Sequence, residues 1–105
     1  MRVVLLVTSL SMVTAGFVQA KPWVEQKCDL YQRAFRDAVA MLGSDGLRMS
    51  FLGQNGAFIA SGCTTQGHVC AETPDEIALA DLLTVMTMNE GMASTFVPFG
   101  CKSQQ

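Results

Sequence analysis

The stretch GCTTQGHVC, residues 62–70, holds Cys63, Cys70 and His68, the only histidine of the chain. Two thiols and an imidazole are soft ligands, but a structural zinc site needs four donors, and Cys28 and Cys101 lie far off in sequence. Thioredoxin-like redox chemistry uses Cys-x-x-Cys with a lowered thiolate pKa, and the spacing from Cys63 to Cys70 is too wide for that. The nonapeptide therefore reads as a polar loop tethered by disulfides, with His68 at the surface or on a cap.

Elsewhere the inventory for catalysis is thin. Ser61, Thr64 and Thr65 merely adjoin His68 in a polar loop, and Asp75, Glu76 and Asp81 crowd a helix start, where capping accounts for them without acid–base work. No His-Glu-x-x-His, Gly-x-x-x-x-Gly-Lys or nucleophile elbow occurs. No catalytic, cofactor-binding or metal-ligating residue is assigned, and an enzyme is not expected. Met86, Met88 and Met92 in MTMNEGM could offer thioethers to Cu(I), which with His68 makes a soft-metal carrier the alternative. Core packing by adaptable methionines is the preferred account, since Met86 points about 160° from Met88 in a helix.

The opening MRVVLLVTSLSMVTAGFVQA has one positive charge at Arg2, an apolar stretch to about Val18 and small or uncharged residues leading to Ala20. This is the layout of a cleavable signal peptide over residues 1–20, and it predicts an exported domain over residues 21–105, periplasmic or secreted. Thr8, Ser9, Ser11, Thr14 and Gly16 dilute the stretch below the apolarity of a stable span, so no membrane insertion is expected after cleavage. Beyond the leader, Lys21, Lys27, Arg33, Arg36, Arg48 and Lys102 face nine carboxylates. A weakly acidic domain lacks the basic footprint that phosphate neutralisation requires, so nucleic acid is not an expected partner.

What must position these residues is a mainly α, small disulfide-stapled domain of about three helices. Trp23, Val24, Cys28, Tyr31, Ala34, Phe35, Ala38, Val39 and Leu42 make a stripe at the helical period, stopped by GSDG at 43–46. Asp29 with Arg33 and Arg33 with Asp37 are spaced to pair along its wet face. Residues 47–63 are ambiguous. Phe51, Leu52, Phe58 and Ile59 recur at helical spacing, which favours a helix broken near Gly53 to Gly56, whose glycines would let another element pack close. The rival is a short β-hairpin at 47–61 turning through GQNG. Thr73, Pro74 and Glu76 form a capping box with proline at the first helical position. Ile77, Leu79, Leu82, Leu83, Val85, Met86 and Met88 then cover most of the circumference, which predicts a helix through the middle of the fold that ends near Asn89 to Gly91 or continues kinked towards Phe96.

FIASGC, VCAETPDEIALADLL and PFGC resemble segments of the small exported helical immunity proteins that neutralise toxins delivered between bacteria. The resemblance covers about half of residues 21–105 and departs at Pro98-Phe-Gly-Cys101, where that family carries a direct Pro-Cys. It implies a binding role.

Four cysteines in an exported chain predict two disulfides, and three connectivities are open. If three elements pack antiparallel, the start of the first, the end of the second and the start of the third share one end of the molecule. That favours Cys28 with Cys63 and Cys70 with Cys101, the runner-up being Cys63 with Cys70 and Cys28 with Cys101. The expected function is that of a small non-catalytic protein acting by protein–protein binding, such as an inhibitor, immunity-type or envelope helper protein. A structural envelope protein is the other alternative. Trp23, Phe96, Val97 and Phe99 are the candidate partner contacts, because aromatic anchors dominate interface energetics.

Overall fold

The structure is a computed structural model that describes residues 21–101, so the leader and its cleavage site lie outside the described residues. Three helices, α1 (Trp23–Leu42), α2 (Met49–Ala60) and α3 (Pro74–Asn89), are followed by a 3-10 turn at Ser94–Phe96. No helix of the described residues is long and apolar enough to cross a membrane.

α1 covers the residues that its apolar stripe marks out, and Gly43 ends it at a φ of +84°, donating its N–H to Val39 O at 2.8 Å. Its wet face pairs differently from the expected pattern. Asp29 accepts from Lys21 Nζ at 2.9 Å, and no ion pair joins Arg33 to Asp29 or Asp37 among the described residues.

α2 is one continuous helix, and the hairpin does not form. The Asn-Gly pair that could have turned a hairpin is used otherwise. Phe51, Asn55 and Phe58 stand at i, i+4 and i+7 on one buried face. There Asn55 Oδ1 accepts a hydrogen bond from the Tyr31 hydroxyl of α1. Burial raises the Tyr31 pKa well above its ordinary value, so the hydroxyl stays protonated and donates. Around this bond Tyr31 meets Phe58 edge to face at 5.0 Å between ring centroids, and Phe96 lies 6.3 Å from Tyr31 and 6.1 Å from Phe58. The glycines are not close-packing sites: a Cβ at Gly53 or Gly56 meets nothing within 4 Å.

Cys28 joins Cys63, and Cys70 joins Cys101, leaving no free thiol among the described residues. The connectivity is the favoured one, but half of its rationale is corrected. The end of α2 does return to the start of α1, where Cys28 and Cys63 sit with Cα atoms 5.4 Å apart. The start of α3 lies at the opposite end: Thr73 Oγ1 donates to Gly46 O at 2.7 Å, in the turn between α1 and α2. α2 and α3 thus begin together, and the GCTTQGHVC segment runs back alongside α2 to connect them. The tail reaches Cys70 by pairing with that segment. Val69 N–H donates to Pro98 O at 3.1 Å and Gly100 N–H to Val69 O at 2.9 Å, while Phe99 stacks on Phe51 at 6.3 Å. Gly100 is required there, because a Cβ would stand 2.9 Å from both the Cα and the O of Gly67.

Glycines of opposite function predict opposite outcomes. Gly53→Ala and Gly56→Ala, both exposed in α2, are each expected to stabilise by about 0.5–1 kcal/mol. Gly100→Ala is expected to destabilise by about 1–3 kcal/mol, because backbone has no rotamer with which to yield. Urea unfolding midpoints of the oxidised protein measure all three.

Candidate protein-binding surface

The mounting of α3 begins with a carboxylate. Glu76 is fully buried, yet it is charged, because donors saturate it. Arg48 Nη2 reaches its Oε1 at 2.7 Å and Arg48 Nε its Oε2 at 3.0 Å, and the backbone N–H groups of Arg48 and Glu72 donate at 2.8 and 3.0 Å. The capping box is complete, with Thr73 Oγ1 accepting from Glu76 N at 3.1 Å. Arg48 is itself held, through Nη1 to Glu72 Oε2 at 2.9 Å and Nη2 to Cys70 O at 3.1 Å. The Arg48 side chain is the main reason that the Glu76 pKa falls to about 2; burial opposes it and the backbone donors assist. Sequence reasoning assigned Glu76 to capping alone and missed Arg48, whose position just before α2 carried no pattern.

So anchored, α3 turns Leu79, Leu83, Ala80 and Thr87 inwards. At 100° per residue, Ile77, Asp81, Val85 and Met88 fall within an arc of about 80° on the opposite side. Ile77, Val85 and Met88 are 47%, 55% and 50% exposed. The apolar residues that cover most of the circumference therefore do not mark a helix through the middle of the fold. One face is core, and the other is about half exposed. No basic residue occupies the last turn of α3, where the helix dipole is negative and Glu90 stands.

The residues singled out from sequence are dispersed. Phe96 is in the core, with Lys27 Nζ 5.0 Å from its ring centroid. Val97 and Phe99 pack partly buried against that core, and Trp23 is half exposed at the start of α1. Met86 is partly buried, Met88 exposed and Met92 buried beyond the helix end, its N–H on Thr87 O. His68 is exposed on the loop. Among the described residues no group of three or more His, Cys, Asp or Glu side chains could hold a metal ion. A groove of about 260 Å³ runs between α1 and α3, lined by Leu30, Arg33, Ala34, Asp37, Met86 and Glu90.

The signal for the α3 surface was present in the sequence, as a helix apolar on two faces. A helix apolar all round is ordinarily buried all round, and that rule concealed an outward face. Comparison of the chain with known protein families, curated proteins and solved structures finds no match.

The anchor sets a pH dependence. Because the folded-state pKa of Glu76 lies below its unfolded value, its contribution is complete above about pH 4.5 and is lost as pH falls towards 2. Glu76→Gln is expected to remove that acid limb and to destabilise by about 1–3 kcal/mol at neutral pH: Arg48 keeps Glu72, but the neutral amide cannot accept from all the donors that converge on the carboxylate. Thermal unfolding followed across pH 2–7 for both proteins checks the sign and the window.

Proposed function

We propose that this is a small exported protein, periplasmic or secreted, that acts by binding another protein through the outward face of α3, as an inhibitor, immunity-type or envelope helper protein. The observation that carries this reading is the set of large apolar side chains, Ile77, Val85 and Met88, displayed on a helix whose other face already fills the core. An exposed apolar patch rimmed by polar groups is one mark of a protein contact, and Met41, Leu42 and Met49 about the α1–α2 turn are exposed as well. Two disulfides suit an oxidising compartment and support export, in keeping with the leader. The carboxylates along the 49–101 half of the chain, without any Lys or Arg, disfavour a phosphate backbone as the partner.

A photo-crosslinking residue at Val85, installed in the protein in its producing cells, is expected to give one discrete, saturable adduct with a second protein. The same residue at Arg36, exposed on α1, is expected to give none. Adducts from Arg36 alone would overturn α3 as the surface. Absence of any adduct from either position, in a protein with an unchanged circular dichroism spectrum, would sink the binding reading. An intact mass equal to residues 21–105 less four hydrogens is the expected sign of export and cleavage, and a mass that retains the leader would overturn that part.

A further inference from the structure

We infer that the surface that covers α3 is a basic one: an apolar groove flanked by Lys or Arg side chains on a partner protein. This rests on the reading of α3 as the binding face and names the chemistry of its partner.

The charge of the domain is divided by position. Of the six Lys and Arg beyond the leader, Lys21, Lys27, Arg33 and Arg36 lie in or beside α1, Arg48 is consumed by Glu72 and Glu76, and Lys102 follows Cys101 outside the described residues. From Met49 to Cys101 the chain has no Lys or Arg at all. Asp81 sits inside the apolar stripe, between Ile77 and Val85, and is exposed without an ion pair among the described residues. Asp75 lies at the first turn of α3 and Glu90 just past its last, again with no ion pair among the described residues. The negative end of the helix dipole adds to Glu90 rather than opposing it.

A partner that seats Ile77, Val85 and Met88 must also desolvate or answer Asp81. Leaving a carboxylate unpaired at the centre of a contact is costly, whereas a facing Lys or Arg turns it into a charge-assisted bond and steers the approach. The same division of charge disfavours a second copy docking α3 against α3, since Asp81 and its neighbours would meet only their own sign. A basic rim with an apolar floor answers both demands.

The test titrates the nitrogen-15-labelled, oxidised protein with three peptides: an amphipathic helix of Leu and Lys, the same helix with Glu for Lys, and a Lys–Ser peptide without Leu. The expected result is amide shifts centred on Ile77, Asp81, Val85 and Met88 with the Leu–Lys peptide only. Asp81→Lys and, separately, Val85→Lys should each weaken that binding about tenfold or more. Both positions are exposed, and retention of the unperturbed spectrum elsewhere shows that each variant still folds. Equal binding of the Leu–Glu peptide on α3 would overturn the basic partner and leave α3 as a binding face. Equal binding of the Lys–Ser peptide would overturn the apolar groove. No shifts on α3 with any peptide would overturn both this inference and the reading beneath it. A dimer in sedimentation equilibrium that Val85→Lys dissolves and Asp81→Lys leaves intact would overturn the basic partner in favour of a second copy.

Discussion

One carboxylate organises the start of two helices. Glu76 accepts from the backbone N–H of Arg48, which caps α2, and from that of Thr73, which caps α3. The positive ends of both helix dipoles therefore converge on the same buried charge, and the Arg48 guanidinium closes it off from solvent. A lone buried carboxylate would be strongly unfavourable, so its presence is intelligible only with all of these donors in place. The parallel start of α2 and α3 follows from it. So does the need for residues 61–73 to run back alongside α2, which in turn gives the tail an edge to pair with and Cys101 a partner in Cys70.

The sequence showed the elements better than their arrangement. α1 and α3 were legible because periodicity and caps are local: the stripe from Trp23 to Leu42, and Thr73, Pro74 and Glu76 in order. α2 was ambiguous because Asn-Gly signals a turn when only neighbours are considered. The Tyr31 hydroxyl that engages Asn55 is supplied from a different helix, and no local rule anticipates it. The direction of α3 was misjudged for the same reason. It depends on Arg48 meeting Glu76 across 28 positions, which leaves no trace in spacing. The aromatic residues of the tail, taken as partner contacts, were claimed in part by the fold: Phe96 closes the aromatic cluster and Phe99 covers Phe51.

A domain of this size has little core from which to draw stability, and here much of the holding is done by other means. Each cross-link is worth about 3–4 kcal/mol in the chain-entropy model, and the Arg48–Glu76 pair fixes the helix starts. With α3 secured along one side only, its other side is free to be apolar without being needed inside. One helix thus fills the core with one face and leaves large apolar side chains half exposed on the other.

The order of the cysteines along the chain carries a consequence for how the fold is reached. The first pairs with the second and the third with the fourth, so the two covalent loops neither nest nor interlock. A chain that emerges from its N-terminus and is oxidised as it appears meets its native partners in sequence, with Cys28 and Cys63 able to close before Cys70 has followed. Oxidation in the order of emergence would therefore favour this connectivity over the other two.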